Sequence, residues 1–394
     1  MPSKNDDFLI WGIKMAEDGV YAELASYLSM IYLKWLSNID DLIKILKLSF
    51  TPEEAEALLS IPAVTVPVKQ LSPLSEIAKN SRLEKDKLER ILDSMASRGL
   101  VYSGTVNNEK GYALPRAGYG FTQVFFWDGA RDDFRKEFTK IHWKYHFPKR
   151  GDVKPQNFRY LPLEISIENI QPDQAVYPFD QIVEIVKKAE KIAVAHCVCR
   201  VRYELATGEH CGHPEEVCLK FNELAEHIIR GGLGREVSKE EALEIVKLTE
   251  EAGLVHFTDN SRDGIVHNCN CCGCACWNLG AIKRRLVPRD EIIATYFIRE
   301  TDYDLCSACG SCADVCPVDA VTIDEFAEVD EEWCVGCGVC VKVCPTSAIT
   351  MKRKTDDIPP ATFEELHRER ERAFLERLEK ERSERERLER EAAE

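Results

Sequence analysis

Toward its C-terminal end the chain reads Cys306-Ser-Ala-Cys309-Gly-Ser-Cys312-Ala-Asp-Val-Cys316-Pro317, and then Cys334-Val-Gly-Cys337-Gly-Val-Cys340-Val-Lys-Val-Cys344-Pro345. Each run has the spacing C-x2-C-x2-C-x3-C-P. It places three thiolates on one tight loop and sends the fourth to a neighbouring site, the arrangement that holds cubane iron–sulfur clusters. Cys306, Cys309, Cys312 and Cys344 are therefore expected to hold one 4Fe–4S cluster. Cys334, Cys337, Cys340 and Cys316 are expected to hold the second. The rival is a pair of four-thiolate zinc sites. Those use two C-x2-C pairs set well apart rather than three cysteines in seven residues followed by C-P.

The flanking sequence repeats as well. Cys316-Pro-Val-Asp-Ala-Val-Thr-Ile-Asp and Cys344-Pro-Thr-Ser-Ala-Ile-Thr-Met-Lys are two copies of one unit, 28 residues apart. Each ends in a short β-prone run, Ala320 to Ile323 and Ala348 to Met351. Gly310, Gly336 and Gly338 allow backbone N–H groups to approach cluster sulfurs. Pro317 and Pro345 fix the chain direction after the crossing cysteine. On these motifs the stretch from about 300 to 352 resembles the bacterial dicluster ferredoxins. The resemblance implies low-potential one-electron transfer with no bond-making of its own.

The chain has 17 cysteines in 394 residues, an odd number and clustered. That argues for metal ligation over a disulfide framework. The N-terminal run lacks the basic-then-apolar layout of a signal peptide, and no twin-arginine signal is present. The most apolar early stretch, Leu24 to Leu36, is broken by Lys34 and is too short to span a bilayer. A cytoplasmic protein with no membrane span is expected, with peripheral attachment through another subunit left open. The net charge of −16 disfavours nucleic acid as the main partner. Acids crowd the ferredoxin-like segment: Asp302, Asp304, Asp314, Asp319, Asp324, Glu325, Glu328, Asp330, Glu331 and Glu332 stand against Arg299 and Lys342. They form either a plain solvated surface or a field that steers a basic redox partner.

The expected fold class is multidomain α+β. It comprises an N-terminal helical and winged-helix region (1–150), a middle cysteine-rich α/β domain (151–298), a ferredoxin-like module with two 4Fe–4S clusters (299–352) and a charged C-terminal helix (353–394). In the first region Thr51-Pro-Glu-Glu54 starts a helix with a capping box. Ser72 opens a short helix, and Glu84 to Ser97 forms a second, with Leu88, Ile91, Leu92 and Met95 on one stripe, ended by Gly99. Two strands joined by a polar turn follow. The pattern is similar to winged helix-turn-helix domains of transcription regulators. The recognition-helix segment balances acids and bases, whereas a phosphate-tracking surface is basic. Protein interaction or a structural role is the better expectation. His142 and His146 stand at i, i+4, but their aromatic surroundings and lack of acidic or thiol neighbours favour helix packing over metal binding.

The middle region holds nine cysteines: Cys197, Cys199, Cys211, Cys218, Cys269, Cys271, Cys272, Cys274 and Cys276. Cys197 and Cys199 end a buried strand. Cys269 to Cys276 places five thiols in eight residues, too dense for packed core. The two groups are expected to meet and form one or two further 4Fe–4S clusters or a zinc site. The paired C-x-C-Arg and C-Asn-C-C segments look like those of large ferredoxin-type iron–sulfur proteins of anaerobes. His196, His210, His213 and His267 flank these thiols, either as ligands or as ordinary turn residues. Arg200 and Arg202 can offset thiolate charge or contact a ligand. Gly231, Gly232 and Gly234 are read as a helix stop rather than a phosphate cradle. The tail from Thr362 is rich in glutamate and arginine at i, i+4, as in Glu364–Arg368 and Glu386–Arg390, and Phe363, Leu366, Phe374, Leu375 and Leu378 can dock on this chain or a partner.

The expected function is electron transfer as a subunit or partner of an anaerobic oxidoreductase. The redox partner would be a flavoprotein or a larger complex. Two alternatives stand beside it: a redox enzyme with a substrate- or cofactor-binding cluster in the middle domain, and a redox-sensing winged-helix regulator.

Overall fold

The computed structural model describes residues 15–31, 39–116, 119–142, 153–168, 170 and 175–391. They form a mixture of helices and several sheets. No helix among them is long and apolar enough to cross a membrane. His146 and the residues around it lie outside the described residues, so the His142–His146 pair is not addressed.

The N-terminal region packs Ile39–Ser49 and Pro52–Ser60 against the helix Lys85–Ser97 and its neighbours. Thr51 and Glu54 make the reciprocal capping box. Leu88, Leu92 and Met95 are buried on one stripe, as the periodicity requires. The strands Tyr102–Val106 and Glu109–Ala113 pair through Asn107 and Asn108, both at positive φ, the backbone of a two-residue hairpin turn. The strand Ser72–Pro73 adds a third member. Cations on and around the helix Lys85–Ser97 are matched within the chain: Lys87 with Glu53, Arg98 with Glu54, and Lys110 with Asp93 at 2.7 Å and Glu89 at 2.8 Å.

A seven-stranded sheet forms the middle. Across it lie Ile293–Ala294, Phe158–Leu161, Val255–Asp259, His267–Cys271, Glu216–Phe221, Ile192–His196 and Arg235–Glu236. Every pairing is antiparallel except the one between Ile293–Ala294 and Phe158–Leu161. Partners directly opposite in such a sheet share a face, and successive residues alternate. One face therefore carries Ile192, Val194, Leu219 and Phe221. It packs on the helices Ile182–Lys188 and Lys239–Glu251 through Ile182, Val186, Ala242 and Val246. Each of Ile182, Val186 and Val246 is worth about 1.5–3 kcal/mol of burial. The opposite face carries Ala193, Ala195, Cys218, Lys220, Cys269, Cys271, Phe257 and Tyr160, placed together by the pairs Ala195↔Cys218, Ala193↔Lys220, Phe257↔Cys269 and Tyr160↔Phe257. That second face is the floor of the site.

The ferredoxin-like segment is built twice. Short helices Ser311–Asp314 and Val339–Lys342 start at Gly310 and Gly338, both in the left-handed region. Two hairpins flank them, Phe297–Thr301 with Ile349–Arg353 and Val321–Ile323 with Ala327–Val329. The segment is held to the sheet by arginines. Arg289 donates to the carbonyls of Glu331 and Cys334, and Arg285 to those of Val318 and Asp319 while its guanidinium lies 4.4 Å from the Trp333 ring centroid.

The tail forms one helix, Phe363–Glu391. Phe363, Leu366 and Phe374 are buried against the body, and Arg370 donates to the Val153 and Pro155 carbonyls. Leu375 and Leu388 are exposed. The ion pairs seen run Arg377–Glu381, Arg382–Glu386 and Arg387–Glu391, while Glu364 turns to Lys69 at 3.0 Å. Docking the first turns decides which way their side chains reach.

Candidate metal centres

The repeated motif gives two groups of four thiols in different surroundings. Cys306, Cys312 and Cys344 pack together beside the hairpins, and Cys309 is exposed. Cys316, Cys334 and Cys337 pack into the core that includes the cysteine-bearing face of the sheet, while Cys340 reaches toward Cys306, Cys312 and Cys344. Burial, and after it the charges of Cys340, Cys316 and Cys334, pushes the Cys337 thiol well up. The surroundings fit thiolate-held clusters. Ala320 N–H donates to Cys316 Sγ and Ala348 N–H to Cys344 Sγ, both at 3.2 Å, and Ala327 N–H to Cys306 Sγ at 3.5 Å. Such N–H···S bonds stabilise negative charge on ligating sulfur. We refer to the exposed set as the outer quartet and to the set against the sheet as the inner quartet.

The C-x-C and C-Asn-C-C segments do meet. Cys197 is the N-cap of the helix Val198–Thr207, which carries Cys199, and Cys276 caps the helix Trp277–Lys283. Both helix starts sit over the face bearing Cys218, Cys269 and Cys271. The thiols form a chain of interacting neighbours: Cys271 with Cys276, Cys276 with Cys199, Cys199 with Cys197, Cys197 with Cys218, and Cys218 with Cys269. Strand alternation explains why Cys269 and Cys271 join this belt while Asn270, between them, points to the other face and donates to the Val217 carbonyl.

Buried cations surround the belt. Arg200, 1% exposed, donates to the carbonyls of Pro214 and Asn270 and so ties the two cysteine-bearing segments together. Burial works to strip its proton, but Cys197, Cys272, Cys218 and Cys271 outweigh that and its pKa rises. Lys220 places Nζ 4.0 Å from Cys269 Sγ. Burial would lower its pKa, yet the charges of Cys269 and Cys218 raise it. Arg202 lies 4.7 Å from the Trp277 ring centroid. A buried anionic centre needs compensation of this kind, because an unpaired buried cation is strongly disfavoured.

Cys211, Cys272 and Cys274 stand apart from the belt as a triad whose sulfurs all lie within 4.8 Å of one another. The hydrogen bond from Cys274 lowers the Cys272 thiol to about 5 against the effect of burial, with help from Arg200. Of the flanking histidines, His267 has Nδ1 2.9 Å from Asp259 Oδ1, and His210 lies 3.3 Å from Glu215 with its Nδ1 accepting from Gly212 N–H. Glu204, His210 and Glu215 also cluster, but Arg131 already occupies both carboxylates.

Three residues escaped the sequence reading. Tyr160 is buried, and its hydroxyl has no hydrogen-bond partner among the described residues. Burial raises its pKa first, then the charges of Cys276, Cys271, Cys337 and Cys199, which places it between the belt and the inner quartet. Lys220 is buried on the strand Glu216–Phe221. Gly273 brings its backbone so close to the inner quartet that a Cβ there would lie 2.2 Å from the Pro317 carbonyl oxygen. Only the alternation of the strand Glu216–Phe221 carried a signal, since it sets Lys220 and Cys218 on one face.

The model of the 4Fe-4S binding domain family matches residues 300–322 and 327–350. The segment thus carries two tandem 4Fe–4S binding motifs. No curated protein matches the chain.

Proposed function

We propose that the protein carries electrons as a component of an anaerobic oxidoreductase, with a 4Fe–4S cluster in each ferredoxin-type quartet and at least one more in the thiol belt. Bound clusters supply reversible one-electron chemistry at low potential. The observation that supports this reading most is the seam between the inner quartet and the belt. Gly273 touches Pro317, Leu163 N–H donates to the Cys337 carbonyl at 3.0 Å, and Tyr160 is flanked by thiols of both groups. Arg285 and Arg289 hold the inner quartet's loops in this register. The sites then run in one order: surface, outer quartet, inner quartet, belt.

The outer quartet suits exchange with a redox partner, a flavoprotein or a larger complex. Cys309 is exposed, and exposed Tyr303 and Leu305 sit beside Asp302 and Asp304. Such a small apolar contact with an acidic rim fits a partner face that is basic around its contact point. The N-terminal region serves this reading as a protein-interaction or structural domain, since its helix Lys85–Ser97 spends cations on internal ion pairs. Iron and acid-labile sulfide per chain, measured on protein purified without oxygen, test the proposal. About twelve irons or more, at four per cluster, are expected; about eight would remove the belt from the relay.

A further inference from the structure

We propose that Cys211, Cys272 and Cys274 form a mononuclear site for a soft divalent ion, zinc before others, distinct from the belt and with water in its fourth position. This deepens the proposed function and rests on the reading that the belt, not the triad, carries the further cluster.

Spacing separates the two kinds of site. The three sulfurs all lie within 4.8 Å of one another. Zinc bound to thiolates at about 2.3 Å in a tetrahedron sets sulfurs about 3.8 Å apart, a distance small side-chain rotations reach. Among the described residues no three of the eight ferredoxin-type cysteines draw together that closely. Among the described residues the ferredoxin-type thiols thus stand further apart than the triad, whose spacing suits a single ion.

The surroundings are built for it. Cys272 and Cys274 bracket Gly273 on a turn, and Cys211 reaches them from the loop after the helix Val198–Thr207. Arg200 bonds to Pro214 and Asn270, holding these two segments together before any ion arrives. The backbone of His213 favours the Cys211 thiolate and that of Ala275 the Cys272 thiolate, and support of this kind orients ligating sulfurs. Three thiolates around a divalent ion leave one net negative charge, which the buried guanidinium of Arg200 faces. Leu254 and Ala275 close the inner side, while Cys274 is exposed on the outer. His210 is engaged with Glu215 and Gly212 and so is not free to take the fourth position. An ion here would clamp the very turn that presses Gly273 onto Pro317, fixing the seam along which the belt meets the inner quartet.

Zinc and iron per chain, measured on full-length protein purified without oxygen, test the site in the wild type, Cys211→Ser and Cys274→Ser. Neither position is core: Cys274 is exposed and Cys211 half-buried. About one zinc in the wild type, at least tenfold less in either variant, and unchanged iron and sulfide are expected for one three-thiolate ion site. Cobalt supplied in place of zinc should give a thiolate-to-cobalt charge-transfer band in the wild type that both variants lack. The proposal is overturned if either variant loses a cluster's worth of iron, because the triad would then be cluster ligands. It is equally overturned if the wild type takes up neither zinc nor cobalt. A wild type with about eight irons that still holds zinc would sink the belt cluster and leave the triad standing.

Discussion

Tyr160 has a buried hydroxyl with no partner among the described residues, and a lone buried hydroxyl costs about 1–3 kcal/mol. Thiols of the belt and of the inner quartet flank it, so a sulfur ligand or sulfide of a bound cluster is the natural acceptor. A donor stabilises the more negative, reduced state most. Tyr160→Phe should therefore lower the reduction potential of the site it serves by about 20–60 mV, taking about 0.5–1.5 kcal/mol per hydrogen bond and about 59 mV per tenfold for one electron. A redox titration followed by electron paramagnetic resonance reads this shift; an unchanged potential at every cluster would assign Tyr160 to packing alone. The sequence made the tandem 4Fe–4S motifs legible because thiol spacing is a local property. It did not expose Tyr160, which comes to Cys271 only through the sheet, across the strand Val255–Asp259 and more than a hundred residues of chain.

At the scale of elements, backbone punctuation was readable and interfaces were not. The capping box at Thr51, the stop at Gly99 and the hairpin turn at Asn107-Asn108 each follow from local chemistry. Ser238 likewise caps the helix Lys239–Glu251 by accepting from Glu241 N–H. Gly273 looked like one more loop glycine, yet its missing Cβ is what lets two regions touch. Gly273→Ala should force them apart at a cost of about 1–3 kcal/mol. Cluster content should hold while the thermal midpoint for loss of cluster absorbance falls; an unchanged midpoint would mean the seam is not tight. The helix Asn222–Arg230 supplies a pH-dependent element. His227 packs edge-on against Tyr102 at 4.5 Å, and burial, then Arg230, lowers its pKa to about 3. The unfolded chain, with a pKa of about 6.5, binds the proton that the folded chain refuses. This contribution to stability is thus complete above about 6.5 and falls by up to about 1.4 kcal/mol per pH unit as pH drops toward 3. Denaturant midpoints at pH 7.5 and 5.5 should diverge for the wild type by more than for His227→Phe, which lacks the titrating ring.

Over the whole molecule, the −16 charge and the distribution of acids set the field that an external redox partner would meet. The sheet covers the inner quartet through Arg289, Arg285 and Leu163 N–H, whereas Cys309 of the outer quartet opens to solvent among acidic residues. The tandem 4Fe–4S segment was readable from its cysteine spacing, but the way it sits against the sheet was not. It depends on arginine-to-carbonyl bonds, and a carbonyl leaves no trace in a sequence. If the outer quartet is the port, small charged reductants should sense its field. A dicationic viologen should reduce the protein fastest at low salt and slow as ionic strength rises from about 0.01 to 0.15 M, where the screening length shrinks from about 30 to 8 Å. An anionic reductant should show the opposite trend. Exchanging Asp302 and Asp304 for lysine should flatten both slopes, because these carboxylates border Tyr303 and Leu305 at the port. Slopes that survive this exchange would place electron entry elsewhere on the surface.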